Sequence, residues 1–494
     1  MERKMAMKKT IDLGLRRELM LDDFLVGKLT GAIRHRLHNP VPKEVALVTD
    51  RPWEGNMCGF VTVLRDPLSG RFRMYYRSGS YYNMTSPDTM TRGNVCMAES
   101  DDGIRWERPS LDIHPIKGYE KTNIVYHRPG NDEVGQHGFC PFYDSNPNGT
   151  RSEAYKAVGS DDKRPPQGIY LMEAYDGVHW KLKSEDPFFT KGRNKRMKYD
   201  SQNVAFWDPN ISKYRLYFRD YDENSIRCIC TSTSPDFKDW SEQEWLAYGP
   251  DAPVNHLYTN NIQNYYRAPH ILMGFPARYT QREWSPSMEV LPELEHRKFR
   301  SKHAAGVRCG TALTDGLFMS SRDGKNFKRW DEAFFRPGLR ETGNWAYGDN
   351  FPALGMLETD AEGGGKELSF YAVENYWRLS RFRRHTLRID GFVSLNADFA
   401  GGEMTTKAFT FKGFCLSMNI STSAAGNIRV EIQTPEGKQI EGYGLGNCNE
   451  IVGDSLDYPV SWKSGRCLEK LSGKPIRLRI KMHDADLYSL KFTD

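Results

Sequence analysis

Between residues 50 and 395, hydrophobic and polar positions alternate with period two in short runs. RFRMYYRSGS (71–80), EAYKAVGSDD (153–162), KYRLYFRDYD (213–222), HILMGFPARY (270–279) and ELSFYAVENY (367–376) each read as a strand rich in aromatic and β-branched residues. A second strand precedes each of them: GFVTVLRD (59–66), GFCPFYDS (138–145), QNVAFWDP (202–209), NIQNYY (261–266) and FPALGML (351–357). Helical periodicity is absent; the nearest candidate, MEVLPELEHRKF (288–299), contains a proline and is expected in an insertion.

One motif recurs along this stretch: a strand, an Asp-Gly turn, then Trp or Phe. It reads MAESDDGIRWERP (97–109), MEAYDGVHWKL (172–182), STSPDFKDWSE (232–242) and FMSSRDGKNFKRW (318–330), with a weaker fifth copy in TLRIDGFVSL (386–395). Aspartate accepts backbone hydrogen bonds in such a turn and glycine supplies positive φ, so Asp102, Asp176 and Asp323 are expected to be structural. Trp106, Trp180, Trp240 and Trp330 are expected to pack between units. Five units of three or four strands predict an all-β chain with a five-bladed β-propeller over residues 1–397, because blades stacked about an axis leave only short edges. From 398 to 494 the segments FCLSMNIST, IRVEIQTPEGKQIEGY and PIRLRIKMHDADLYSLKFTD alternate cleanly, which predicts a C-terminal antiparallel β-sandwich of two small sheets.

Composition narrows the function classes. Of 494 residues, 38% are hydrophobic, below the roughly 45–50% usual in globular chains, while 12% are aromatic, so large rings must carry the core. Lys and Arg number 69 against 64 acidic residues, a near balance that points away from nucleic-acid partners. No apolar run approaches the roughly 20 residues of a membrane span. The first 17 residues lack a signal-peptide core, so a cytoplasmic chain is expected, with a removed leader left open. The nine cysteines form no CxxC pair and are expected to be reduced and mostly buried. Nucleotide-binding, zinc-protease and GxSxG motifs are all missing, so no cofactor is expected; an axial metal ion stays open, although no ligand set for it is visible.

A five-bladed propeller followed by a β-sandwich resembles the glycoside hydrolases of families 32 and 43. The (S/A)xxDG(I/V)xW signature is similar to that of their blades, and LMLDDFLV (20–27), RPWEGN (51–56), DSQNVAFWD (200–208) and RIDGFVSLNAD…GGEMTTKAF (388–409) resemble a bacterial subgroup of family 32-like proteins. The resemblance implies a site in the funnel at one end of the axis, with carboxylates from the innermost strands of successive blades. WMNDPNG and a Glu-Cys pair are absent, and the one RDP triplet (65–67) falls at a hairpin corner, so site residues are assigned by blade position alone.

The entrances to the innermost strands carry Glu54, Asp200 and Asp349, and paired carboxyl groups are what glycosidic cleavage needs. Asp200 and Asp349 are the expected catalytic pair, and Glu54 is a third acid or a sugar-hydroxyl ligand. Asp23, in the Asp-Asp pair of LMLDDFLV, is an alternative general base, as the family 43 resemblance implies, or else a structural group on a strand that closes the ring. Trp53, Asn56, His137, Gln202, Arg267, His270, Tyr347 and Glu374 are expected sugar ligands, with Trp53 and Trp345 as stacking rings and Arg267 or His270 binding an anionic substituent. The basic run GRNKRMK (192–198) is expected to be a solvated loop or an anionic-substrate rim. The expected activity is hydrolysis of a terminal glycosidic bond in an oligo- or polysaccharide. Non-catalytic glycan binding and a sialidase-like hydrolase are the alternatives. Oligomeric state is not legible.

Overall fold

The computed structural model describes residues 10–80, 93–128, 134–150, 153–161, 167–192, 199–304, 306–465 and 467–494. The basic segment 193–198 lies outside them. The chain is almost entirely strand, and it divides into two compact units.

The larger unit takes in 40–265 and 269–386 and contains five antiparallel sheets. In each of the first three, four strands run in chain order. The first holds Gly59–Arg65, Phe72–Arg77, Val95–Ser100 and Ile124–Tyr126. The second holds His137–Tyr143, Tyr155–Asp161, Gly168–Ala174 and Lys181–Leu182. The third holds Val204–Asp208, Lys213–Tyr221, Arg227–Ser234 and Glu244–Trp245. The fourth sheet has six strands: Gln263–Tyr265, Ala268–Gly274, Leu313–Ser321 and Phe327–Phe335 form the core, extended by Ala277–Thr280 and His256–Leu257. The fifth joins Leu357–Asp360, Lys366–Glu374 and Arg381–Arg388 to Val41–Val48, which arrives from the other end of the chain.

The inner edges of these sheets meet in a closed circuit. Thr62 Oγ1 reaches Cys140 Sγ at 3.8 Å, joining the first sheet to the second. Gly138 packs against the Ser201 carbonyl, joining the second to the third. Asn260 Nδ2 donates to Gln202 O at 3.3 Å, and Asn261 Nδ2 to Pro352 O at 2.5 Å. Leu354 then bonds back to the first strand through Val61 O and Val63 N, each at 2.8 Å, in a parallel bridge. Gln202 also donates across the ring to Val61 O (3.1 Å) and Thr62 Oγ1 (2.9 Å), so an expected sugar ligand instead fills the middle of the ring.

The Asp-Gly turns act as read. Oδ1 of Asp102, Asp176, Asp236 and Asp323 each accepts two backbone N–H bonds from the residues two and three positions on. The turns also staple neighbouring sheets: Tyr75 donates to Gly177 O at 2.7 Å, Tyr217 to Gly324 O at 2.9 Å, and Tyr371 to Gly103 O. The third copy carries Phe237 at φ 64 in place of glycine, and its ring packs on Phe142, Tyr214 and Trp240. Two expectations change here. The fourth copy places Phe327, not Trp330, at the buried position after the turn. The fifth copy lies in the other unit, with Asp390 buried between Arg17 (3.2 Å) and Arg267 (3.0 Å).

That smaller unit comprises residues up to Asn39, Tyr266–Ala268 and Leu387–Asp494. The expected boundary at 397 does not hold, because the strand Val393–Thr406 runs through it and pairs antiparallel with Val26–Leu37. Instead of two small sheets, one six-stranded sheet contains Asp454–Pro459, Cys415–Gln433, Arg477–Thr493, Val393–Thr406, Val26–Leu37 and Glu18–Leu19, with register breaks at Ala397/Gly402 and Thr422/Asn427. A separate parallel pair, Ile11–Gly14 with Phe409–Phe411, completes it.

The helical candidate falls in an insertion, as expected: Pro286–Glu289, Leu294–His303 and Arg308–Thr311 lie between Thr280 and Leu313, which pair directly. No helix among the described residues is long and apolar enough to cross a membrane. The nine cysteines form no disulfide, and only Cys467 is exposed.

Gly138 has φ +64, and a Cβ there would overlap the Ser201 carbonyl oxygen. Gly138→Ala is therefore expected to cost about 2 kcal/mol or more, read as a lowered midpoint of chemical unfolding.

Candidate functional site

Each innermost strand leaves its entrance, turns at the opposite end of the sheet, and returns on the second strand. Residues at the entrances, at the ends of the second strands and at the starts of the third therefore share one end of the ring. Asp200 lies at the third entrance with its side chain 17% exposed. His137 Nε2, from the second entrance, is 2.7 Å from Oδ1, and Arg219 from the return strand is 3.5 Å from Oδ2. Burial works to raise the Asp200 pKa, but Arg219, His137 and Arg308 outweigh it and hold the carboxyl well below the usual range.

Around Asp200 stand the expected Tyr347 and, with it, arginines and tyrosines that pattern reading missed. Arg219 lies over the rings of Tyr258 (4.9 Å) and Tyr221 (5.1 Å), and Arg227 over Tyr279 (4.5 Å), Tyr258 (5.5 Å) and Tyr221 (5.5 Å). Arg308, from the helical insertion, faces Tyr347 at 5.8 Å, and Tyr347 is 6.1 Å from Tyr258 and 5.7 Å from Tyr279. Burial raises the pKa values of the Tyr258, Tyr279, Tyr347 and Tyr376 phenols, which stay neutral. A signal for part of this was available: RDYDENSIR (219–227) spans the end of a return strand and the start of the next, the places where this end of the ring is built.

The other expected acids are differently employed. Asp349 is 1% exposed; its oxygens accept the backbone N–H groups of Ala346 (2.9 Å) and Tyr376 (3.1 Å). Burial pushes its pKa to about 7 despite those bonds and despite Arg300, with Glu374 adding to the rise. Glu54 is 0% exposed, bonded to Arg108 at 2.8 Å, to Tyr76 OH at 2.5 Å and to the Arg51 N–H at 2.9 Å. It is a buried ion-pair partner that fixes its own turn, and no sugar reaches it. Asp23 is 81% exposed and belongs to the smaller unit, 3.9 Å from His35; the strand that closes the ring is Val41–Val48 instead.

Among the expected ligands, His137 and Tyr347 join Asp200. Trp53 bonds Asn123 (2.7 Å) and meets Tyr119 edge-on, and Asn56 donates to Trp377 O at 3.5 Å. Glu374 is held by Arg381 (2.8 Å) and Arg383 (2.6 Å). Arg267 counts with the smaller unit, where it pairs with Asp390 at 3.0 Å, because the YYRAPH turn lies at the far end of its hairpin from the entrance. His270 is the third residue of the return strand Ala268–Gly274, which begins at that same turn. Trp345 lines a separate cavity of about 530 Å³ with Arg278, Asp315 and Arg336. Among the described residues, no group of three or more His, Cys, Asp and Glu side chains is placed to hold a metal ion.

No family profile matches the chain, and no curated protein sequence matches it. Solved structures with a similar course of the backbone include a β-fructofuranosidase of glycoside hydrolase family 32 from Bombyx mori, at 10% identity over 92% of this chain and 94% of that one, with TM-score 0.39. An endo-arabinase from Bacteroides thetaiotaomicron is 9% identical over 71% and 97%, at TM-score 0.39. An N-acetylgalactosamine deacetylase from F. plautii, in complex with blood group B trisaccharide, is 12% identical over 76% and 96%, at TM-score 0.42. Fold likeness of this degree assigns no chemistry, and the functional reading stands on the site's own residues.

Two outcomes follow. Glu54→Gln takes the buried carboxylate from Arg108, which keeps Asp50 at 3.2 Å, and is expected to cost about 1–3 kcal/mol in chemical denaturation; unchanged stability would show that the pair does not hold its turn. The folded Asp349 carboxyl keeps its proton to about pH 7, whereas its ordinary value is 3.8, so the folded state binds the extra proton between these limits and stability falls as pH rises through them. Asp349→Asn is expected to flatten that decline in urea midpoints compared at pH 5 and pH 8.

Proposed function

We propose that this chain is a carbohydrate-active enzyme, a glycoside hydrolase working on a terminal sugar at the entrance end of a five-bladed propeller. The observation that carries this reading is Asp200: among the four expected acids it alone combines a place at an entrance, partial exposure and surroundings that keep it ionised. Tyrosine rings and guanidinium groups about it offer the apolar faces and fixed polar groups that sugar sites use. Asp200 takes the role of base or nucleophile. Asp349 has the protonation state that a general acid needs near neutral pH, the divergence of two carboxyl groups from which acid and base roles are read. The helical insertion, which brings Arg308 to the recess, favours a chain end over the middle of a polymer.

One observation favours a second reading, sugar binding without turnover: both Asp349 oxygens are taken by backbone donors, which leaves Asp200 without a freely exposed partner acid. Asp200→Asn separates the two in assays on aryl glycosides and plant or algal oligosaccharides. For the hydrolase, turnover is expected to fall about 10³-fold or more while sugar affinity is retained. Turnover that survives both Asp200→Asn and Asp349→Asn would remove the hydrolytic assignment; sugar binding with no turnover in the unaltered protein selects the second reading.

A further inference from the structure

Among the described residues, three guanidinium groups, of Arg219, Arg227 and Arg308, gather about Asp200 and its tyrosines. Arg219 is 1% exposed and pairs with Asp200 at 3.5 Å. Arg227 has a buried Nε with no hydrogen-bond partner, and its NH1 lies 3.5 Å from His256 Nδ1. Burial, and then Arg227 itself, lower the His256 pKa, so that ring adds no positive charge of its own. Arg308 stands over Tyr347. Among the described residues, neither Arg227 nor Arg308 has a carboxylate at salt-bridge distance. Carboxylates close by in the chain are occupied: Asp220 accepts from Gln243 at 3.2 Å, and Asp222 caps its own turn through Asn224 N (2.9 Å) and Ile226 N (2.8 Å).

A desolvated guanidinium group is costly unless an anion meets it, and its fork of N–H donors matches a carboxylate or sulfate. The tyrosine faces keep the three groups oriented and leave them charged. We propose that Arg219, Arg227 and Arg308 together bind the oxyanion substituent, carboxylate or sulfate, of an acidic sugar, whose ring packs on the neighbouring tyrosines. This rests on the recess being the sugar site and names the substrate class for it. The expected ligands Arg267 and His270 are replaced in that role by residues on return strands and on the insertion.

The test is calorimetric titration of the full chain with four probes: an oligogalacturonate, its carboxyl-reduced counterpart, a sulfated galactan oligosaccharide and inorganic phosphate. An acidic oligosaccharide is expected to bind at least about tenfold more tightly than the reduced one, and to weaken with added salt. The carboxylated and sulfated arms tell which oxyanion is preferred. Arg227→Met and, on the insertion, Arg308→Gln are each expected to lower acidic-probe affinity about tenfold and neutral-probe affinity by much less. Circular-dichroism melting verifies that each variant is folded. Equal affinity for acidic and reduced probes overturns the proposal while leaving the sugar site standing. Binding of phosphate with no oligosaccharide overturns both. Failure of every acidic probe, or unchanged acidic-probe affinity in both variants, also overturns it.

Discussion

Everything at the entrance end depends on closure of the ring. The first inner strand is bonded in parallel to Leu354, nearly three hundred residues later, and the fifth sheet is complete only when Val41–Val48 pairs with Arg381–Arg388. Each pairing closes a very long loop, but loop entropy grows only logarithmically with length, so a few ladder bonds and a buried aromatic seam can offset it. Once closed, the circuit fixes where each inner strand begins. The spacing of Asp200, His137 and the tyrosines is a consequence of that closure and not of any local sequence.

Much of the architecture was legible because its signals are local. Period-two alternation located the paired strands of the first three sheets, merged two strands of the fourth and met the first strand of the fifth only at Leu357; the Asp-Gly turns were understood from turn chemistry alone, down to the backbone bonds of Asp102 and Asp176. The smaller unit was less legible, because its membership is a long-range matter: Val26–Leu37 looks like any alternating strand, and nothing in it announces a partner almost four hundred residues away. The substitution of Phe327 for Trp330 has the same character, since two aromatic residues three apart cannot be ranked without the turn geometry.

The site divides similarly. Reading acids at strand entrances found Asp200 and, with His137, its ion-pair partner, because the entrances do converge. It failed for Glu54, whose neighbours in the chain give no hint of Arg108, and for Gln202, whose amide turns inward across the ring. The arginines went unseen because attention to carboxylates ignored the return strands, although the hairpin direction that carries Asp200 to this end also carries Arg219 and Tyr221 there. Arg267 shows the converse error: half a hairpin away, the same residue type is a structural ion-pair partner of Asp390.

The insertion between Thr280 and Leu313 leaves and re-enters the fourth sheet at two residues that are themselves paired. The sheet is thus continuous beneath it, and the insertion is fastened from above, with Arg297 donating to Trp345 O and Arg300 over the Trp377 ring. Arg219 and His137 reach Asp200 from the strands, while Arg308 acts on the same carboxyl from the insertion. Exchange of that piece for another of different charge would retune what the recess accepts without reopening the circuit on which the recess is built.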